Sequence, residues 1–217
     1  LENALWIHPV SEWAPWQDAV RDALSHPAVD PDLKQVYSTF LMATEALAAI
    51  RKGELEQALG LSRQLASLTP EQNPLDPARS YAAEVRREIA IAQRNRDELN
   101  KFVGPNVGTW TLSPYSETCT YQLNQARVFF ALDDHDQGMA TAQEVLKGRC
   151  AWDRHQPISS LYLSAEVAAH HLARGNPAAA LPLLNRAEKD WPEADDTLPI
   201  VRLLGQLRQT AKPSTTE

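Results

Sequence analysis

Long apolar runs, basic charge and cysteine are what this chain of 217 residues has least of, and each shortage removes a class of function. No apolar stretch approaches the roughly 18 residues that would carry a helix across a bilayer, so no direct membrane insertion is expected. Lys and Arg number 21 against 28 Asp and Glu, for a formal charge of −7. Nucleic-acid backbones and anionic lipids reward clustered basic residues, so neither is expected as a partner. The densest basic cluster, Arg86, Arg87, Arg94 and Arg96, is interleaved with Glu84, Glu88 and Glu98, the pattern of a solvated helix face. Two cysteines without a Cys-x-x-Cys or His-x-His companion assemble no zinc set. Phosphate-loop, dinucleotide-binding, G-x-S-x-G and H-E-x-x-H patterns are missing, and no nucleophile, base and orienting group fall together. The chain therefore reads as non-catalytic, with no catalytic residue, metal site or cofactor. It opens on Leu1-Glu2 without Met, the start expected of an excised or processed piece, so the lack of a leader leaves the compartment open.

What the chain does contain is repetition. IRKGELEQALGLSRQLASLTP, residues 50–70, is echoed by ARGNPAAALPLLNRAEKDWP, residues 173–192, with Gly53, Ala58 and Pro70 recurring as Gly175, Ala180 and Pro192. The offset accommodates three steps of about 41 residues and predicts two further units between the echoes. Stepping from Phe40 reaches Tyr81, Tyr121 and Tyr162; from Ile50, Ile91, Ala131 and Leu172; from Ala58, Leu99, Met139 and Ala180; from Leu61, Phe102, Ala142 and Leu183. Within a unit, Phe40, Ala43, Leu47 and Ile50, then Leu55, Leu59, Ser62 and Leu65, keep the three- and four-residue spacing of two helices. Gly53 and Gly175 suit the left-handed residue that ends a first helix, and Pro177 the opening of a second. The acidic run at Asp133, Asp134 and Asp136 serves the third turn.

The turn glycine, the small residue five later and the proline twelve beyond that resemble the tetratricopeptide repeat, most closely in the first and fourth units. The resemblance spans about 36–192, and implies an all-α fold: an α-solenoid of about four helix-turn-helix repeats with a helix capping each end. The expected organisation is a Trp-rich N-terminal capping region at 1–35, repeats at about 36–76, 77–116, 117–157 and 158–194, a closing helix within 195–211, and a disordered tail at 212–217. The second repeat departs from the pattern, since Gly104-Pro105-Asn106-Val107-Gly108 cuts its second helix short and allows a bend or loop.

Cys119 and Cys150 lie nearly equidistant from the third turn, which brings both to the open end of an antiparallel hairpin and allows a disulfide. Closing a loop of about 30 residues would stabilise by roughly 3 to 4 kcal/mol, and would fit an oxidising space such as a periplasm over the cytoplasm. The alternative is two reduced thiols. Asp133 to Glu144 imitates a calcium loop, but His135 and Gln137 stand where hard oxygen ligands are needed. His170 and His171 are adjacent, so they point to different helix faces as packing or surface residues. Of six tryptophans, Trp6, Trp13 and Trp16 lie near the start and Trp110, Trp152 and Trp191 near the joints between units, where wedging between helices explains them better than ligand stacking.

Tyr81, Tyr121 and Tyr162 recur at one place in successive first helices and should form a ladder, either wedged between units or lining a concave groove. With Glu84, Asn124 and Arg127 nearby, such a groove would grip a protein or peptide segment through aromatic area and fixed polar contacts. The resemblance accordingly implies a protein-interaction scaffold within a larger complex or multidomain chain. Repeats near 40 residues are also similar to the sensor regions of large ATP-dependent bacterial transcription activators, so the alternative is an effector-sensing domain.

Overall fold

The computed structural model describes residues 10–68, 77–103, 119–147, 156–190 and 198–211, with the side chains of 77–80, 119–121, 144–145, 156–159 and 190 left aside. Among these residues every regular element is helical. A short 3₁₀ turn, Val10–Glu12, leads into α1 (Trp13–Ser25). There follow α2 (Pro31–Lys52), α3 (Leu55–Ser67), α4 (Pro77–Gln93) and α5 (Arg96–Asn100). The second half carries α6 (Cys119–Ala131), α7 (His135–Leu146), α8 (Gln156–Ala173), α9 (Pro177–Asp190) and α10 (Pro199–Ala211).

Four tight turns join α2 to α3, α4 to α5, α6 to α7 and α8 to α9, and all four are closed in the same way. The amides of Glu54, Asn95, Asp134 and Asn176 each donate to the carbonyl five residues back, on Ala49, Ala90, Phe129 and His171. The amide just before each of them reaches back three. This Schellman closure satisfies carbonyls that the end of a helix would otherwise orphan. It needs one left-handed residue per turn: Gly53 (φ 79°), Arg94 (49°), Asp133 (62°) and Gly175 (69°). Asn95, Asp134 and Asn176 then cap the next helix, each side-chain oxygen accepting the amide three residues on.

The described residues form two compact units, 10–103 and 119–211. In the first, α2 packs against α1, α3 and α4. Its buried residues include Leu41, Ala43, Ala46, Leu47 and Ala49, and Leu65 of α3 and Val85 and Ile89 of α4 are buried as well. Each large aliphatic side chain so enclosed contributes about 1.5 to 3 kcal/mol. In the second unit α8 is central, touching α6, α7, α9 and α10. A satellite cluster of Ala168, Ala180, Leu184 and Ala211 ties α10 onto α8 and α9.

The residue five places after each left-handed turn is buried: Ala58, Leu99, Gly138 and Ala180. In the third hairpin this is Gly138, where stepping through the sequence reached Met139, because the left-handed residue there is Asp133. A Cβ on Gly138 would stand 2.6 Å from the Phe130 ring, so only glycine lets α7 lie this close to α6.

One boundary differs from expectation. The first repeat was expected from 36, but α2 begins at Pro31, because the Asp30 carboxylate accepts the amides of Asp32 at 2.8 Å and Leu33 at 3.4 Å and Pro31 opens the helix. The closing helix, Pro199–Ala211, lies within the 195–211 drawn for it. α5 is a short helix of five residues, ending at Asn100. Gly104 to Gly108 and the tail 212–217 lie outside the described residues.

Candidate functional site

α2 is 22 residues long whereas α1 and α3 have 13 each. At 1.5 Å per residue α2 extends about 33 Å and α3 about 20 Å, so roughly two turns of α2 outlast their neighbour. The consequence is visible along one apolar stripe. Leu33, Val36, Tyr37, Phe40, Thr44 and Leu47 follow the spacing of a single helix face. Thr44 and Leu47 are buried, while Leu33, Val36 and Tyr37 are 51%, 44% and 49% exposed. The same stripe is therefore core at one end and surface at the other.

Aromatic side chains mark the boundary. Trp16 of α1, 43% exposed, meets Phe40 edge-on at 5.5 Å, and Phe40 meets Tyr81 of α4 edge-on at 5.9 Å. Leu68, just beyond α3 and toward the same end of the hairpin, is exposed as well. α1 is fixed beside the stripe by a buried hydrogen bond from Gln17 Nε2 to Thr44 Oγ1 at 3.3 Å and by Arg21, which pairs with Asp18 and with Glu45. Around the exposed end, residues 10–40 carry five acids, Glu12, Asp18, Asp22, Asp30 and Asp32, and two bases, Arg21 and Lys34.

The residues singled out from sequence fall in both units. Tyr81 is half-buried, its phenol pushed up by burial first and the Glu84 charge second. Glu84 is half-buried one turn on. In the second unit Asn124 and Tyr162 are each 6% exposed, so their side chains serve the interior. Arg127, also largely buried, reaches Glu166 of α8 at 3.4 Å. The Tyr121 side chain lies outside the described residues, as do the Cys119 thiol and Cys150, and with them the expected pairing. Trp13 is buried. Trp6, Trp110, Trp152 and Trp191 are outside the described residues.

Two further features lie apart from these residues. His170 of α8 stacks on Phe130 of α6 at 4.7 Å and lies 4.0 Å from the ring of His135, which opens α7. His135 Nδ1 and His170 Nε2 are buried without a hydrogen-bond partner. Burial, then the charges of His135, Arg174 and His171, hold His170 below the ordinary histidine value, with Asp133 opposing. Imidazoles sharing one metal through bonds of about 2.1 Å keep their centres roughly 5 Å apart, so this closer pair suits neutral packing rather than ligation. Among the described residues no three His, Cys, Asp or Glu are placed to hold a metal ion.

The second feature is a cleft of ≈ 420 Å³ between α3, α4 and α5, with Leu59, Ala66, Ile89 and Ala90 as its apolar floor and Arg63, Arg86 and Glu98 at its edge. Arg86 bonds Glu98 at 3.3 Å, and Lys101 together with Arg86 holds that carboxyl below its usual range. No described helix is long and apolar enough to cross a membrane. No family model, curated protein or solved structure matches the chain.

Proposed function

We propose that the protein is a non-catalytic interaction module of the tetratricopeptide-like kind, in which stacked helical hairpins hold a preformed surface for a protein segment. The observation that carries this reading is the uncovered half of the α2 stripe: Leu33, Val36 and Tyr37 stand exposed on a helix whose continuation is core. Apolar side chains grouped on a rigid, protruding helix mark a binding face, since scattered ones are ordinary but a contiguous row is not. A helix held by Asp30 at one end and by the unit's core at the other loses little freedom on binding, which favours association. Tyr81, beside the Glu84 charge, supports the face through its ring contact with Phe40.

The test is a Val36→Asp variant used as bait beside the wild-type chain in a pull-down from the native lysate. Its far-ultraviolet spectrum should be unchanged, because Val36 lies outside the core, while recovery of a wild-type partner should fall at least tenfold. Equal recovery by both baits would refute the surface.

A second reading, effector sensing, draws on the cleft of α3, α4 and α5, whose size fits a small molecule and whose Arg63 would favour an anionic one. A metabolite that raises the melting temperature of the wild type but not of Arg63→Ala would favour it.

A further inference from the structure

We infer that the occupant of the exposed α2 face is a basic amphipathic helix of another protein, lying along the overhanging turns where the stripe of Leu33, Val36, Tyr37 and Phe40 continues the buried core face. The inference rests on the docking reading above and adds the chemistry of the partner.

Length sets the first requirement. The uncovered stretch is about two turns, which a second helix matches with three apolar side chains at i, i+3 or i+4, and i+7. Phe40 and Trp16 close one end of the stretch as an aromatic wall, and the exposed Leu68, just past the end of α3, adds apolar area at that same end.

Charge sets the second. The five acids and two bases of residues 10–40 leave this region negative, and Arg21 is committed to Asp18 and Glu45. Asp32 flanks Val36 on the helix surface and is exposed. A partner with Lys or Arg bordering its apolar stripe would meet the Asp32 side of this face as it docks, gaining both rate and register. A second copy of this chain would instead bring the same acids to an isologous contact, where like charges face each other. The overhang is small by the standard of stable dimers, so a micromolar, salt-sensitive encounter is expected.

The experiment uses the full chain and two labelled synthetic helical peptides with the same apolar stripe, one bordered by Lys and Arg and the other by Glu. In fluorescence anisotropy the basic peptide should bind at least tenfold more tightly than the acidic one. Val36→Asp should weaken it tenfold or more, and Tyr37→Ala, a milder change, at least threefold. Asp30→Asn with Asp32→Lys, which keeps a capping amide at 30, should weaken the basic peptide about fivefold and narrow the preference. Equal affinity for both peptides, with both lost in Val36→Asp, would overturn the basic partner and leave the docking surface standing. Binding of neither peptide, or binding indifferent to Val36→Asp, would overturn the docking face itself. A wild-type dimer in sedimentation that Val36→Asp dissociates would assign the face to a second copy and also overturn the proposal.

Discussion

Single residues set how closely the hairpins close, and the two that matter most in the second unit are Gly138 and His170. Alanine at 138 would bring a Cβ to 2.6 Å from Phe130, whose ring cannot retreat because His170 is stacked on it. Helix propensity favours alanine by about 1 kcal/mol and overpacking costs about 1 to 3, so Gly138→Ala should destabilise the unit by about 1 kcal/mol in urea unfolding. His170 gives a pH dependence of definite sign. Its folded pKa lies below the ordinary value near 6.5, so above that pH neither state takes the proton and stability is complete. As pH falls below about 6.5 the unfolded chain binds the proton first, and stability declines until the folded pKa is passed. The urea midpoint should drop from pH 7 toward pH 5.5, and the slope should flatten in His170→Gln; an equal slope in the variant would assign the effect elsewhere. None of this was legible in the sequence. There His170 and His171 are merely neighbours, and it takes the register of α7 against α8 to bring His135 onto His170.

At the scale of elements the turns were the most readable feature. Gly53 and Gly175 announce the left-handed residue, and both have it. Arg94 and Asp133 take the same conformation with side chains that pay a steric penalty for it, so residue type alone does not reveal them. The start of α2 was hidden for another reason: Asp30 and Pro31 are a cap and a first helical residue, but the hydrophobic periodicity used to draw the repeat begins only later. Periodicity also marks an apolar stripe without saying what covers it, so the exposure of Leu33, Val36 and Tyr37 emerged only once α2 proved longer than its neighbours. Pro182 lies inside α9 on its exposed side and has no amide to give the Ala178 carbonyl. Because its side chain supports no core, Pro182→Ala should raise the stability of the second unit by about 1 to 3 kcal/mol, seen as a higher denaturant midpoint with an unchanged slope. A lower midpoint would mean that the proline ring shapes the helix for its packing.

For the whole molecule, the chain divides into two helical units, one before and one after the glycine and proline run in the sequence. All-α architecture followed from amphipathic spacing, which is local and survives in any helical packing. The site did not follow, because a position repeated in sequence can be core in one unit and boundary in another: Tyr81 is half-buried against Phe40, while Tyr162 is enclosed. The most direct test of a docking face on the free end of α2 is backbone amide exchange of the chain with and without its captured partner. Residues 31–38 should exchange more slowly in the complex than in the chain alone. Protection confined to α8 and α9, with 31–38 unaltered, would contradict the account.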